Sequence, residues 1–114
     1  MTTENARQIA LSLPGAEEHP HFNRPSFRVK GKIFSTLWPV ENRMMVKLSL
    51  IDQSVFIKFD PAVIYPVPGG WGRQGATFIE LKTVKKAMLK DALTTAWLNV
   101  APKKLVEQYF GKNG

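Results

Sequence analysis

Apolar positions recur along this chain at two intervals, and the changes from one interval to the other mark its elements. From Thr3 to Leu13, residues Ala6, Ile9, Ala10 and Leu13 fall on one face at helical spacing, Thr3 stands where a cap is needed, and Pro14-Gly15 ends the helix. Glu17 to Pro25 holds two prolines and an asparagine, which predicts an extended loop. Ser26 to Val29 and Ile33 to Trp38 are rich in β-branched and aromatic residues and flank Lys30-Gly31-Lys32, which predicts a hairpin. Whether that turn has two or three residues decides which face every side chain takes, and the sequence leaves it open. Arg43 to Ser49 alternates, with Met44, Val46 and Leu48 on the side expected to be core.

Asp52 to Phe59 reads as a short helix capped by Asp52, with Ile51, Val55 and Phe59 as its apolar stripe. Ile64 to Gly75 carries two prolines and four glycines around Trp71 and reads as a long turn or protruding loop. Ala76 to Lys82 alternates as a strand with Thr77, Ile79 and Leu81 on one side. Thr83 is placed to cap a long helix whose stripe is Leu89, Leu93, Ala96, Trp97 and Val100, with Lys85, Lys86 and Lys90 outside. After Pro102 a last short helix carries Leu105, Val106, Tyr109 and Phe110. These elements predict an α+β fold, an antiparallel sheet of four to five strands with helices packed on one face, built as a single domain over residues 1–114. The competing topology extends the strands into a small barrel.

Composition narrows the class. The hydrophobic share of 44% is that of a globular domain rather than a disordered chain. There is no cysteine, so disulfides and thiolate metal sites are excluded and a reducing, cytoplasmic setting fits. No run has the length of a secretory leader or a membrane span, so a soluble protein, monomeric in the simplest case, is expected. Sixteen Lys and Arg against nine Asp and Glu give a formal charge of +7, an excess that attracts polyanions.

Candidate chemistry is sparse. His19 and His21 beside Glu17 and Glu18 offer metal-ligand types, but His-x-His without a third partner reads more simply as a solvated pair, and no metal or other cofactor is expected. There is no Gly-x-Ser-x-Gly elbow, and Asp52, Asp60 and Asp91 are accounted for by helix ends and exposed faces, so no enzyme is expected. Pro66 to Gly75 lacks the Gly-Lys-Ser/Thr ending of a phosphate-binding loop. It reads either as a hairpin presenting Trp71 and Arg73 or as a turn whose Trp71 folds back on the core.

What remains is cations interleaved with aromatics. Arg24, Arg28, Lys30 and Lys32 flank Phe27 on the first hairpin, Lys47 lies on the next strand, Trp71 and Arg73 on the glycine loop, and Lys103 and Lys104 after Pro102. Such sets use cations for phosphate oxygens and aromatic or Arg groups for base contact, so a DNA partner is the leading expectation. The alternative is a protein-interaction or small-ligand module with a pocket between the glycine loop and the terminal helices, lined by His21, Trp71 and Tyr109.

The runs Ala10-Leu-Ser-Leu-Pro-Gly15, Glu17-Glu-His-Pro-His-Phe22 and Pro25-Ser-Phe-Arg-Val-Lys-Gly-Lys-Ile-Phe34 resemble the signature of the MmcQ/YjbR family. Gly70-Trp71 and Trp97-Leu-Asn-Val-Ala-Pro-Lys-Lys-Leu105 extend the likeness over nearly the whole chain. The resemblance implies a frataxin-like (CyaY-like) α+β fold of the kind described as a double wing, with a proposed role in DNA binding. It maps the family's basic hairpin onto Arg28, Lys30 and Lys32 and its glycine-tryptophan loop onto Gly70 and Trp71, and it brings no catalytic residues. Frataxin-like iron binding needs an acidic first helix, whereas the first helix here holds only Glu4.

Overall fold

A computed structural model describes residues 1–111 of the protein. Among these, six strands form one antiparallel sheet: β1 (Glu17–His21), β2 (Arg24–Val29), β3 (Lys32–Trp38), β4 (Arg43–Lys47), β5 (Ile64–Pro66) and β6 (Ala76–Glu80), in the order β1-β2-β3-β4-β6-β5. The helices are α1 (Thr3–Leu11), α2 (Leu50–Phe59), α3 (Gly70–Arg73), α4 (Lys86–Val100) and α5 (Lys103–Gly111). The α+β class is as the pattern implies, with a sheet one strand larger than the upper expectation. No helix among the described residues is long and apolar enough to cross a membrane.

The additional strands come from segments whose prolines suggested irregular chain. Glu17–His21 pairs with β2, and Pro20 stands opposite Pro25. Pro20 is tolerated because β1 is an edge strand, where missing donors and charged side chains also discourage further pairing, and Pro25 because it stands near the start of β2, ahead of the first residue paired with β3. Arg7 of α1 ties this edge down through a 2.5 Å contact with Glu18. The turn between β1 and β2 is Phe22-Asn23, both at positive φ (51° and 67°), as tight two-residue hairpins require. Lys30-Gly31 does the same between β2 and β3 (51° and 79°), which settles that turn at two residues. Within the glycine-rich stretch, Ile64–Pro66 pairs with β6 and Gly70–Arg73 winds into a single helical turn, so that segment is no open loop.

One face of the sheet carries the core. Phe27, Val29, Phe34, Leu37, Met44, Val46, Ile64 and Ile79 meet Ala6 and Ala10 of α1 and Leu89, Leu93, Ala96 and Trp97 of α4, all buried. The Trp97 indole N–H donates to Pro14 O at 2.8 Å, tying α4 to the end of α1. β3 reaches this arrangement through a bulge: Phe27 pairs with Ser35 and Arg28 with Ile33, leaving Phe34 as the extra residue.

Three capping assignments shift. Thr2 rather than Thr3 caps α1, Ser49 rather than Asp52 caps α2, and α4 starts at Lys86 after Lys85, with no side-chain cap from Thr83. The stripe assigned to α2 is also rotated. Ile51, Val55 and Phe59 face solvent, whereas Gln53 is buried and Phe56 and Ile57 are partly buried against the core. The helical period is right and the phase is not, because residues 53, 56 and 57 occupy the inward face and the first of them is polar.

Candidate functional site

Side chains alternate along each strand, so the sheet has a second face, and no helix packs on its centre. Arg24, Ser26 and Arg28 of β2, Thr36 and Trp38 of β3, Arg43, Met45 and Lys47 of β4, and Phe78 and Glu80 of β6 project there, as the strand pairing requires. In the middle of this face lies a cleft of about 420 Å³. Its floor includes Thr36, Trp38, Met45 and Ala76, one wall is His21 at the end of β1 with Phe22 of the turn that follows, and the other is Trp71 of α3 with Gln74 just after it. Arg24 and Lys47 are the charged residues of the lining.

The floor is held by short local bonds. The Trp38 indole N–H donates to Thr36 Oγ1 at 2.9 Å, which lays the ring along the strand, and its edge meets Phe78 with centroids 4.8 Å apart. The Arg24 guanidinium carbon stands 3.5 Å from the centre of the Trp38 ring, a cation–π stack. Among the described residues neither Arg24 nor Lys47 has an acidic partner within salt-bridge distance. Ion pairs there are Arg7 with Glu4 and Glu18, His19 with Glu17, and Arg43 with Glu80.

Both walls rest on unusual backbone. Phe22 lies 83% exposed at positive φ, its ring edge-on to His21 at 4.6 Å. Trp71 is 70% exposed on a helical turn that exists because Gly72 lets the chain close on itself: a Cβ there would lie 1.8 Å from Val67 O. Gly75, at φ +108°, crosses Leu48 equally closely and accepts the Leu48 N–H at 3.0 Å. Gln53 holds α3 from below, its buried amide nitrogen donating within 2.9–3.2 Å of Gly72 O, Thr77 Oγ1 and Ala76 O.

At the margin of this face Tyr65 donates to the Glu80 carboxylate, and Arg43 donates to the Tyr65 oxygen at 3.1 Å. Burial pushes the Tyr65 phenol above its usual pKa, the bond to Glu80 adds to the rise, and Arg43 opposes it. Arg43 also lies 4.4 Å from the Phe78 ring centre, so its charge is engaged on three sides.

The expected site residues are only partly brought together. Arg24, Lys47, His21 and Trp71 line the cleft, and Arg28 lies beside it on the same face, its Nε donating to Ser26 Oγ at 3.1 Å. Lys30 and Lys32 sit at the tip of the β2–β3 hairpin, and Arg73 is on α3 outside the lining. Lys103 and Lys104 begin α5, outside the cleft lining. Tyr109 is not a cleft residue. It packs against Trp97, centroids 5.3 Å apart, because α5 folds onto α4 on the opposite side of the sheet, and the pocket lies between α3 and the first hairpin rather than beside the terminal helices. The two histidines separate in role, His19 against Glu17 at 3.2 Å and His21 in the cleft wall, and no group of three potential metal ligands occurs among the described residues.

Sequence reasoning passed over Trp38, Phe22 and Gln53. Trp38 was accessible through strand parity once the turn and bulge were known. Gln53 shared helical spacing with Phe56 and Ile57, which was the available sign that it faces inward.

Comparison with known proteins matches this arrangement at the level of fold and family. The crystal structure of a Deinococcus radiodurans protein of the DUF419 domain family superposes with a TM-score of 0.76, covering 97% of this chain and 86% of that one at 18% identity. No curated protein matches the chain in sequence. The family model named YjbR matches residues 11–99, from the end of α1 through α4 and thus the whole sheet with its cleft, and the chain belongs to the YjbR family.

Proposed function

We propose that this protein binds nucleic acid, with DNA as its partner, through the open face of the sheet and without catalysing a reaction on it. The observation that carries the reading is the cleft's charge and ring content: its charged lining residues are Arg24 and Lys47, both cations without acidic partners among the described residues, set among Trp38, Trp71 and Phe22. Cations supply phosphate contacts and aromatic faces supply stacking. Arg28 extends the cationic set along β2, and the net charge of +7 favours encounter with a polyanion.

The cleft's volume also suits a compact anionic ligand with a planar ring, since sites for small molecules span about 300–1,000 Å³. Salt titration separates a polyanion from such a ligand. If Arg24, Arg28 and Lys47 each neutralise one phosphate of a single strand, log K falls with a slope of about −2 against log salt, and the Arg24→Ala, Lys47→Ala double variant brings the slope up by about 1.4. A flat titration, or a slope indifferent to that double substitution, overturns the reading.

A further inference from the structure

We infer that the cleft seats a single unpaired base, held between the exposed rings of Phe22 and Trp71 with its phosphate on Arg24 and Lys47. The inference rests on the nucleic-acid reading and sharpens it to a class of substrate: strands that can turn a base out, rather than intact duplex.

Shape is the first ground. A duplex turns its phosphates outward and its ring faces inward, so a protein reads it with something that projects into a groove about 12 Å wide. Here the aromatic groups line a concavity, the reverse of a reading head, and only a base that has left its stack can present a ring face to them.

The second ground is the condition of the two rims. Phe22 and Trp71 are among the most exposed large apolar residues of the described chain, at 83% and 70%, and they stand on opposite walls of one cleft. Neither exposure is needed by the fold. A phenylalanine at positive φ in a two-residue turn is worse than the Asn-Gly or Gly-Gly that such turns prefer. Trp71 rides on a turn in which Gly72 is there to let the chain approach Val67, not to support the indole. Strain and exposed aromatic area concentrated at the mouth of a cavity mark a binding site rather than a packing need.

The third ground is the spacing of functions within the lining. Arg24 already covers one face of Trp38 at 3.5 Å, so Trp38 fixes the guanidinium rather than offering a bare face, and Lys47 is the second cation available to a phosphate. Gln74, also in the lining, offers amide donor and acceptor groups to a base edge.

The test uses three DNA duplexes of one sequence at fixed salt: fully paired, with one extra unpaired base, and with an abasic residue at that extra position. Fluorescence anisotropy is expected to show the unpaired-base duplex binding about five- to a hundredfold more tightly than the other two, the range of one stacked base. Trp71→Ala and Phe22→Ala, both at exposed positions that the fold can spare, are expected to erase that preference while leaving the salt slope unchanged. Equal affinity for all three duplexes, with a salt slope still present, overturns the base seat and leaves nucleic-acid binding standing. A mononucleotide that binds and is lost in Trp71→Ala, with no DNA bound at low salt, upholds the seat and overturns the nucleic-acid reading. No binding of any probe overturns both.

Discussion

The sheet holds a tryptophan on each face, and the two illustrate opposite uses of the same side chain. Trp97 is fully buried in the helix layer, a member of the core cluster with the Tyr109 ring beside it, and its indole N–H is satisfied by Pro14 O. Trp38 is half-buried on the open face, satisfied by Thr36 next door, and carries a guanidinium on its ring where the core would place another apolar group. The first is explained wholly by the hydrophobic effect. The second leaves ring surface and charge beside solvent in a cleft, which stability does not require, and so points to a partner. The lesson is that in a two-layer fold the face without helices is where residues unexplained by packing accumulate.

The largest expected effect breaks that pair apart. Trp97→Ala is expected to cost about 3–5 kcal/mol, the usual range for emptying a large aromatic site, and to lower the urea midpoint steeply. Trp38→Ala removes only partly buried area and one cation–π contact, so a loss of about 1–2 kcal/mol is expected. DNA affinity is expected to reverse the order, with Trp38→Ala weakening binding in a protein that remains folded, since Arg24 then loses the surface that orients it. Equal stability losses at the two sites would remove the distinction between the faces.

A smaller, more local effect comes from the wall of the cleft. Gly72→Ala places a Cβ 1.8 Å from Val67 O and 2.9 Å from Val67 C, a backbone clash that no rotamer relieves. The turn of α3 has to move, costing about 1–3 kcal/mol as overpacking does, and carries Trp71 with it. Gly70→Ala, whose nearest neighbour would be the far end of Arg73 at 3.8 Å, serves as the control and is expected to be near neutral. Urea unfolding and DNA binding measured on both variants check this. A Gly72→Ala protein that binds and unfolds like Gly70→Ala would show that α3 does not shape the open face.

Much of the core was legible in the sequence, because alternation in β4 and β6 and the α4 stripe each rest on apolar burial: Met44, Val46, Leu48, Thr77, Ile79 and Leu81 all fall on the predicted side. The family was legible too, from the runs around Pro14 and Phe22 to Phe34. The cleft was not. Its floor depends on the parity of β3, and two features invisible to periodicity set it: a two-residue turn at Lys30-Gly31 and the bulge at Phe34. Without the bulge, Phe34 would pair with Phe27 and send Trp38 to the core and Leu37 to solvent. The inversion of α2 has the same character. Three apolar residues at the right spacing were outcompeted by a glutamine, because the backbone carbonyls and the hydroxyl around Gly72 and Thr77 needed a donor more than the core needed Val55.

The smallest effect tests the margin of the open face, where a polar cluster replaces core packing. The Tyr65 phenol bonds the Glu80 carboxylate, and its pKa is raised above the ordinary 10.0, burial being the larger cause. For a group that holds its proton more tightly folded than unfolded, the stabilisation is fully present below the unfolded pKa and is lost as pH rises through the folded one. Wild-type protein is therefore expected to lose stability above about pH 10 by an amount that Tyr65→Phe does not. Below that pH the variant is the weaker of the two, lacking the bonds to Glu80 and Arg43, and the gap narrows as the medium becomes more alkaline. Groups common to both proteins cancel in the difference, so urea unfolding of the pair at several values between pH 8 and 11 isolates the phenol. A gap that stays constant across that range would mean that Tyr65 titrates alike in both states, and a gap near zero throughout would mean that this edge is held by ring contacts with Phe78 rather than by the hydroxyl.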